Sequence, residues 1–79
     1  MYERVRDVIA EILEITNKDE ITRETNIIED LGADSLDVVE MITTLEREAG
    51  TVIPDEVMVT LHTVGDVADL LDRMKGNKQ

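Results

Sequence analysis

The sequence predicts an all-α fold: an antiparallel four-helix bundle with a short third helix and a long loop between helices one and two. Three observations carry that prediction. Apolar residues recur at helical spacing in separated stretches, cap and stop residues stand at their ends, and no stretch alternates with the period of a half-buried strand. The chain has 79 residues, room for one domain at most. A chain this short buries little more than about 60% of the surface its unfolded form exposes, so it must fold around one small core. The spacing places a compact domain over residues 1–75 and a frayed tail over residues 76–79.

Helix one is expected from about Tyr2 to Thr16. Val5, Val8, Ile9, Ile12 and Leu13 share one face, and Glu3, Arg4, Asp7, Glu11 and Glu14 occupy the other. Asn17 breaks the period. Residues 17–33 then form a long connection, with Ile21, Ile27, Ile28 and Leu31 as isolated anchors that pack over the core. Loops longer than about 12–15 residues are uncommon unless they have a function or are disordered. Helix two carries Leu36, Val39, Ile42, Leu45 and Ala49 on its stripe, with Asp34 as N-cap, Asp37 in the first turn and Gly50 as the stop. Pro54 suits the first turn of a short helix over residues 54–61. Thr63-Val64-Gly65-Asp66 resembles a capping box opening the last helix, whose stripe is Val64, Val67, Ala68, Leu71 and Met74 and whose end is Gly76.

Composition excludes several classes. The chain has no cysteine, hence no disulfide and no thiolate metal site. One Tyr is its only aromatic residue, and 19 acids against 8 bases give a net charge of −11. Nucleic-acid binding needs stacking rings and a basic face, and this charge repels phosphate backbones. Partners with basic patches are favoured instead, through long-range steering. No apolar run approaches the roughly 20 residues of a membrane span, and the first residues are charged and helix-periodic rather than a signal segment. The expectation is a soluble, cytoplasmic monomer that does not insert into membranes.

The most informative stretch is Glu29-Asp30-Leu31-Gly32-Ala33-Asp34-Ser35-Leu36-Asp37. A lone serine at a helix start is usually a solvated cap. Here Ser35 follows a glycine-containing loop and opens a helix, which exposes its hydroxyl and sets it beside free backbone N–H groups and the positive end of the helix dipole. A site for free phosphate would rarely carry carboxylates on both sides, as Asp34 and Asp37 stand here. A covalently attached phosphate, with the acids serving a partner, reconciles the two. A serine hydrolase would need an activating base and usually a G-x-S-x-G elbow, and Gly32-Ala33-Asp34-Ser35-Leu36-Asp37 does not match. The single histidine, His62, reads as a surface residue with no pH response, reaching Ser35 only by chance of packing. Ser35 is therefore expected to be acted upon, and the chain is not an enzyme.

Between residues 29 and 56 stand nine acids and one base, Arg47. An ordinary solvated face is the bland explanation. Asp34, Asp37, Glu40 and Glu48 lie off the apolar stripe of helix two, however, and predict a negative ridge beside Ser35 for docking. No window fits a calcium loop of the form D-x-[DN]-x-[DN]-G, so no metal site is expected.

The run from Glu29 to Asp37 resembles the phosphopantetheine attachment motif of acyl carrier proteins, and Ile53-Pro54-Asp55-Glu56 resembles that family's loop into helix three. The resemblance extends over essentially the whole chain. It implies that Ser35 accepts 4′-phosphopantetheine from coenzyme A through a Mg²⁺-dependent phosphopantetheinyl transferase. It implies that acyl groups ride the arm as thioesters between enzymes of fatty acid biosynthesis. The implied partners are that transferase, acyltransferases, ketoacyl synthases, reductases and dehydratases with basic docking patches. Asp34, Leu36, Asp37, Glu40, Glu46, Glu48, Asp55 and Glu56 would form the partner surface. Val39, Met41, Ile42, Leu45, Ile53, Leu61 and Leu71 would line a pocket for the acyl chain, although a packed aliphatic core accounts for the same residues.

Some positions depart from the family pattern. Ile27 and Ala49 stand where phenylalanine is common, Arg47 interrupts the acidic run, and Val57, Met58 and Val59 make helix three more apolar. These departures leave open a carrier dedicated to a polyketide or specialised lipid pathway. A different class, an unmodified acidic helical interaction module, would need the acidic ridge but not Ser35.

Overall fold

The computed structural model describes residues 1–76; residues 77–79 of the expected tail lie outside the described residues. Four α-helices follow in order: α1 (Tyr2–Leu13), α2 (Ser35–Ala49), α3 (Asp55–Met58) and α4 (Val64–Gly76). No strand occurs among the described residues; a single isolated bridge joins Asn26 to Thr63. α1 packs against both α2 and α4. Its Val5, Val8 and Ile9 meet Met41, Ile42 and Leu45 of α2 and Val64, Val67 and Leu71 of α4 in one buried aliphatic cluster. Removing this surface from water drives folding, at about 25 cal/mol per Å² of apolar area.

Three expected boundaries move. α1 ends at Leu13, not Thr16, because Glu14 turns into the left-handed region at φ 59°. The Ile15 N–H then donates to the Ala10 carbonyl at 2.8 Å, closing the helix end and turning the half-buried Ile15 back toward the core. α3 is only one turn long, Asp55–Met58, and Pro54 stands just outside it with ψ 148°. The Thr60 hydroxyl donates to the Val57 carbonyl at 2.7 Å, so the chain beyond Met58 continues as a turn. α4 ends at Gly76, the stop expected for the last helix.

The long connection is ordered by its own polar side chains and by α4. Asn17 caps a 3-10 turn over Lys18–Glu20, its side chain accepting the Asp19 N–H at 3.1 Å. Ile21 and Ile27 are buried as expected, whereas Ile28 is 56% exposed. The segment is then pinned to the start of α4 by Ile27 N–H to the His62 carbonyl (3.0 Å), Val64 N–H to the Thr25 carbonyl (3.0 Å) and Gly65 N–H to the Arg23 carbonyl (2.9 Å). Gly65 permits the last contact, since a Cβ there would stand 3.0 Å from the Arg23 carbonyl oxygen. α4 opens with the expected capping box: Asp66 N–H donates to the Thr63 hydroxyl, and Thr63 N–H to the Asp66 carboxylate.

Candidate functional site

Ser35 is the first residue of α2, and the loop before it fixes its position. The Asn26 side-chain oxygen accepts the N–H groups of Ile28 (3.0 Å) and Glu29 (2.8 Å), and Asp30 accepts the Asn26 N–H (2.8 Å). Gly32 takes φ 74°, which glycine adopts without a Cβ penalty. Ala33 is buried, and its N–H donates to the Ile27 carbonyl at 3.3 Å. The loop is thus anchored one residue before the helix cap, and the cap itself is Asp34.

That detail separates the two readings of Ser35. Asp34 accepts the Asp37 N–H at 2.9 Å, and Asp37 accepts the Asp34 N–H at 3.2 Å, a reciprocal capping box. The capping oxygen belongs to Asp34, so the Ser35 hydroxyl is not spent on it. Ser35 is exposed. The amides of Ser35 and Leu36 lie in the first turn, where no intrahelical acceptor reaches them. An anion tethered to Ser35 would meet those amides and the positive helix end.

Beside Ser35 runs a surface groove of about 340 Å³ lined by Val38 and Val39 of α2, Met58 and Val59 at α3, and Ile28, Leu61 and His62. Below it lies an interior void of about 30 Å³. Ile28, Val38, Met58 and Leu61 line both, so these four side chains form the partition between groove and core. The void matches the share of a single water in the liquid, too small for an acyl chain unless the partition opens.

The pocket candidates divide on this geometry. Met41, Ile42, Leu45 and Leu61 line the interior void. Val39 is 53% exposed and lines only the outer groove. Ile53 and Leu71 are buried elsewhere in the core and touch neither space. The helical period of Leu71 was right and Ile53 is a buried loop residue, but neither period nor burial says which side chain borders a gap. Val38, Met58 and Ile28 were not among the candidates. Val38 carried a signal, standing three residues before Met41 on one face of α2; Met58 stood in the apolar run of α3.

The acidic candidates divide as well. Asp34, Glu40, Glu48, Asp55 and Glu56 are exposed, while Asp37 and Glu46 are partly covered. Glu46 is tied down, its carboxylate accepting the Ile53 N–H across the turn after α2. Glu48 is held by a two-pronged ion pair with Arg4 of α1. The side-chain hydrogen bond from Arg4 keeps the Glu48 carboxyl below its ordinary range. The expected continuous ridge is therefore narrower: near Ser35 it consists of Asp34, Asp37 and Glu40, and Glu48 is neutralised on the α1 side. Leu36, 78% exposed, stands among these acids as an unshielded apolar contact. No cluster of potential metal ligands occurs among the described residues.

The family model for the phosphopantetheine attachment site matches residues 3–71. The chain belongs to the acyl carrier proteins. Those of three strains of Clostridium perfringens are each 48% identical to it over 71 residues, covering 90% of this chain and 92% of theirs. The cofactor of such a carrier is covalent 4′-phosphopantetheine, and the residues around Ser35 fit it: an uncommitted hydroxyl, unpaired amides and an apolar groove alongside. No helix of this carrier, among the described residues, is long and apolar enough to cross a membrane.

Proposed function

We propose that this carrier holds acyl chains as thioesters on 4′-phosphopantetheine attached to Ser35 and passes them between enzymes of fatty acid biosynthesis, without catalysing a step itself. The observation that carries the reading is the exposed Ser35 at the head of α2, outside its own capping box and at the rim of an apolar groove. In the loading reaction the Ser35 oxygen bonds to the phosphorus on the pantetheine side of the coenzyme A pyrophosphate. The bond to adenosine 3′,5′-diphosphate breaks, and the hydroxyl proton passes to a base on the transferase. The chain has no cysteine, so the thiol that carries the acyl group belongs to the arm.

Asp34, Asp37 and Glu40, with Asp55 and Glu56 on α3, offer negative charge to the basic patches of transferase, synthases, reductases and dehydratases, and Leu36 offers an apolar contact between them. Such exposed charge contacts are weak and screened by salt, which suits a shuttle that must leave each partner. The acyl chain enters from the groove by parting Ile28, Val38, Met58 and Leu61, and extends toward Met41, Ile42 and Leu45. Flexible Met41 and Met58 ease that repacking. On this reading the carrier works as a monomer in the cytoplasm. The exposed Val59 favours a second reading of the pathway alone: an added apolar contact at α3 fits a synthase of a specialised acyl pathway.

Intact mass before and after incubation with coenzyme A, Mg²⁺ and a phosphopantetheinyl transferase tests the core of this reading. The wild type should gain one phosphopantetheine and Ser35→Ala none. A folded wild type that gains nothing from a panel of active transferases would instead leave an unmodified acidic interaction module.

A further inference from the structure

The groove beside Ser35 has only two polar side chains on its walls, Ser35 itself and His62; the other six are apolar. Sequence spacing gave no reason for the two to share a site. The fold brings them together by fixing the His62 backbone from two directions. Its N–H donates to the Asp66 carboxylate at 3.1 Å, and its carbonyl accepts the Ile27 N–H at 3.0 Å. His62 is exposed and lines the groove together with Ser35.

A phosphodiester on Ser35 would bring one negative charge into acidic surroundings. The charged groups nearest Ser35 on the elements meeting there are Asp34 at the cap of α2, Asp37 and Glu40 on α2, Asp55 and Glu56 on α3, Glu29 and Asp30 on the loop, and Asp66 on α4. Arg73 borders a separate hollow with Asp66 and Asp69. Among the described residues no lysine or arginine lines the groove, and His62 is the one lining group there that can become a cation. The Asp66 carboxyl is held low chiefly by the backbone N–H groups of Thr63 and His62.

Resting on the assignment of Ser35 above, we propose that His62 is the cationic partner of the phosphodiester and, when protonated, holds the base of the arm along the groove. Histidine is the side chain that changes charge between about pH 5 and 8. A phosphodiester keeps a single charge throughout that range. Protonated His62 therefore pins the arm, and neutral His62 releases it. This makes His62 a positioning residue with no part in bond making.

The test uses full-length protein loaded by a transferase, with loading confirmed by intact mass. Phosphorus-31 spectra are then followed from about pH 5 to 8. The wild-type phosphodiester signal should shift with one inflection in that range, because a neighbouring group and not the phosphate titrates. His62→Gln should flatten the curve. His62→Lys should hold the signal near the wild-type acid limit throughout. A flat wild-type curve, or an inflection that survives in His62→Gln, overturns the pairing. A failure of Ser35 to take the group appears in the mass first; it sinks the functional reading and this pairing with it.

Discussion

The two ends of α2 are built from similar residues and put to opposite uses. At the C-terminal end Leu45 is 1% exposed, Glu46 holds the Ile53 N–H, Glu48 pairs with Arg4 of α1, and Gly50 closes the helix in the left-handed conformation. At the N-terminal end Leu36 is 78% exposed, Val39 is half exposed, and the acids serve only each other and the solvent. Leucine and carboxylates occur at both ends. Only the partners across the fold decide that one end is a clamp and the other lies open to solvent. A helix built this way can stay folded while its open end leaves Ser35 exposed, as the proposed attachment requires.

Truncating the two leucines gives the largest contrast. Leu45→Ala leaves a cavity at the closed end and should cost about 2–5 kcal/mol in urea unfolding. Leu36→Ala removes a side chain that already faces water, and its unfolding midpoint should match wild type within about 0.5 kcal/mol. The transferase should distinguish them in the other direction, loading folded Leu36→Ala more slowly. A large stability loss in Leu36→Ala would erase the distinction between the ends.

The two helix caps come next, and here the ends should agree. Gly50 has φ 69°, and a Cβ there would meet nothing within 4 Å. Gly50→Ala therefore measures backbone conformation alone and should cost about 1–2 kcal/mol. Asp34→Ala removes one arm of the capping box and should cost about 1 kcal/mol. It should also slow loading at Ser35, because the first turn of α2 frays where the transferase must grip. Equal stability losses with unequal loading rates would confirm that the caps matter equally for folding and unequally for function.

Much of this was legible in the sequence. The four helices, the Asp34 cap, the Gly50 stop, the Thr63–Asp66 box and the exposure of Ser35 follow from local rules of period and capping, whereas period set Leu36 and Val39 on the apolar stripe and the fold leaves both exposed. The long-range partners were not legible. Nothing within eight residues of Glu48 announces Arg4, 44 positions away in the chain. The groove that joins Ser35 to His62 depends on the hydrogen bonds that His62 accepts from Ile27 and donates to Asp66, and pairing between a loop and a helix start has no period to reveal it. Ile28 was read as a core anchor because it follows Ile27. In the turn organised by Asn26 consecutive residues diverge, one inward and one to the partition of the groove.

Charge alone distinguishes the remaining acids. Glu40 is exposed with no partner in the described contacts, so Glu40→Gln should raise the transferase KM about two- to fivefold at low salt, an effect that fades as salt rises. Glu48→Gln should leave that KM near wild type, since its charge is already answered by Arg4. Glu48 should report instead through the pH dependence of stability. Its carboxyl lies below the ordinary value of 4.5, first because of the hydrogen bond from Arg4 and against the opposing effect of desolvation. A carboxyl lowered in the folded state contributes stability above its unfolded value and loses it as acid protonates the folded group. Glu48→Gln should therefore be less stable than wild type at pH 7, and the gap should close as the pH falls below about 4. The pair is exposed, so the gap is small and should shrink further in salt. A difference in urea midpoint that persists unchanged at pH 3 would mean that Glu48 contributes through packing of its stem and not through its charge. The clamp at that end of α2 would then rest on packing, the Glu46 bond to the Ile53 N–H and the Gly50 stop, with nothing added by the Arg4 ion pair.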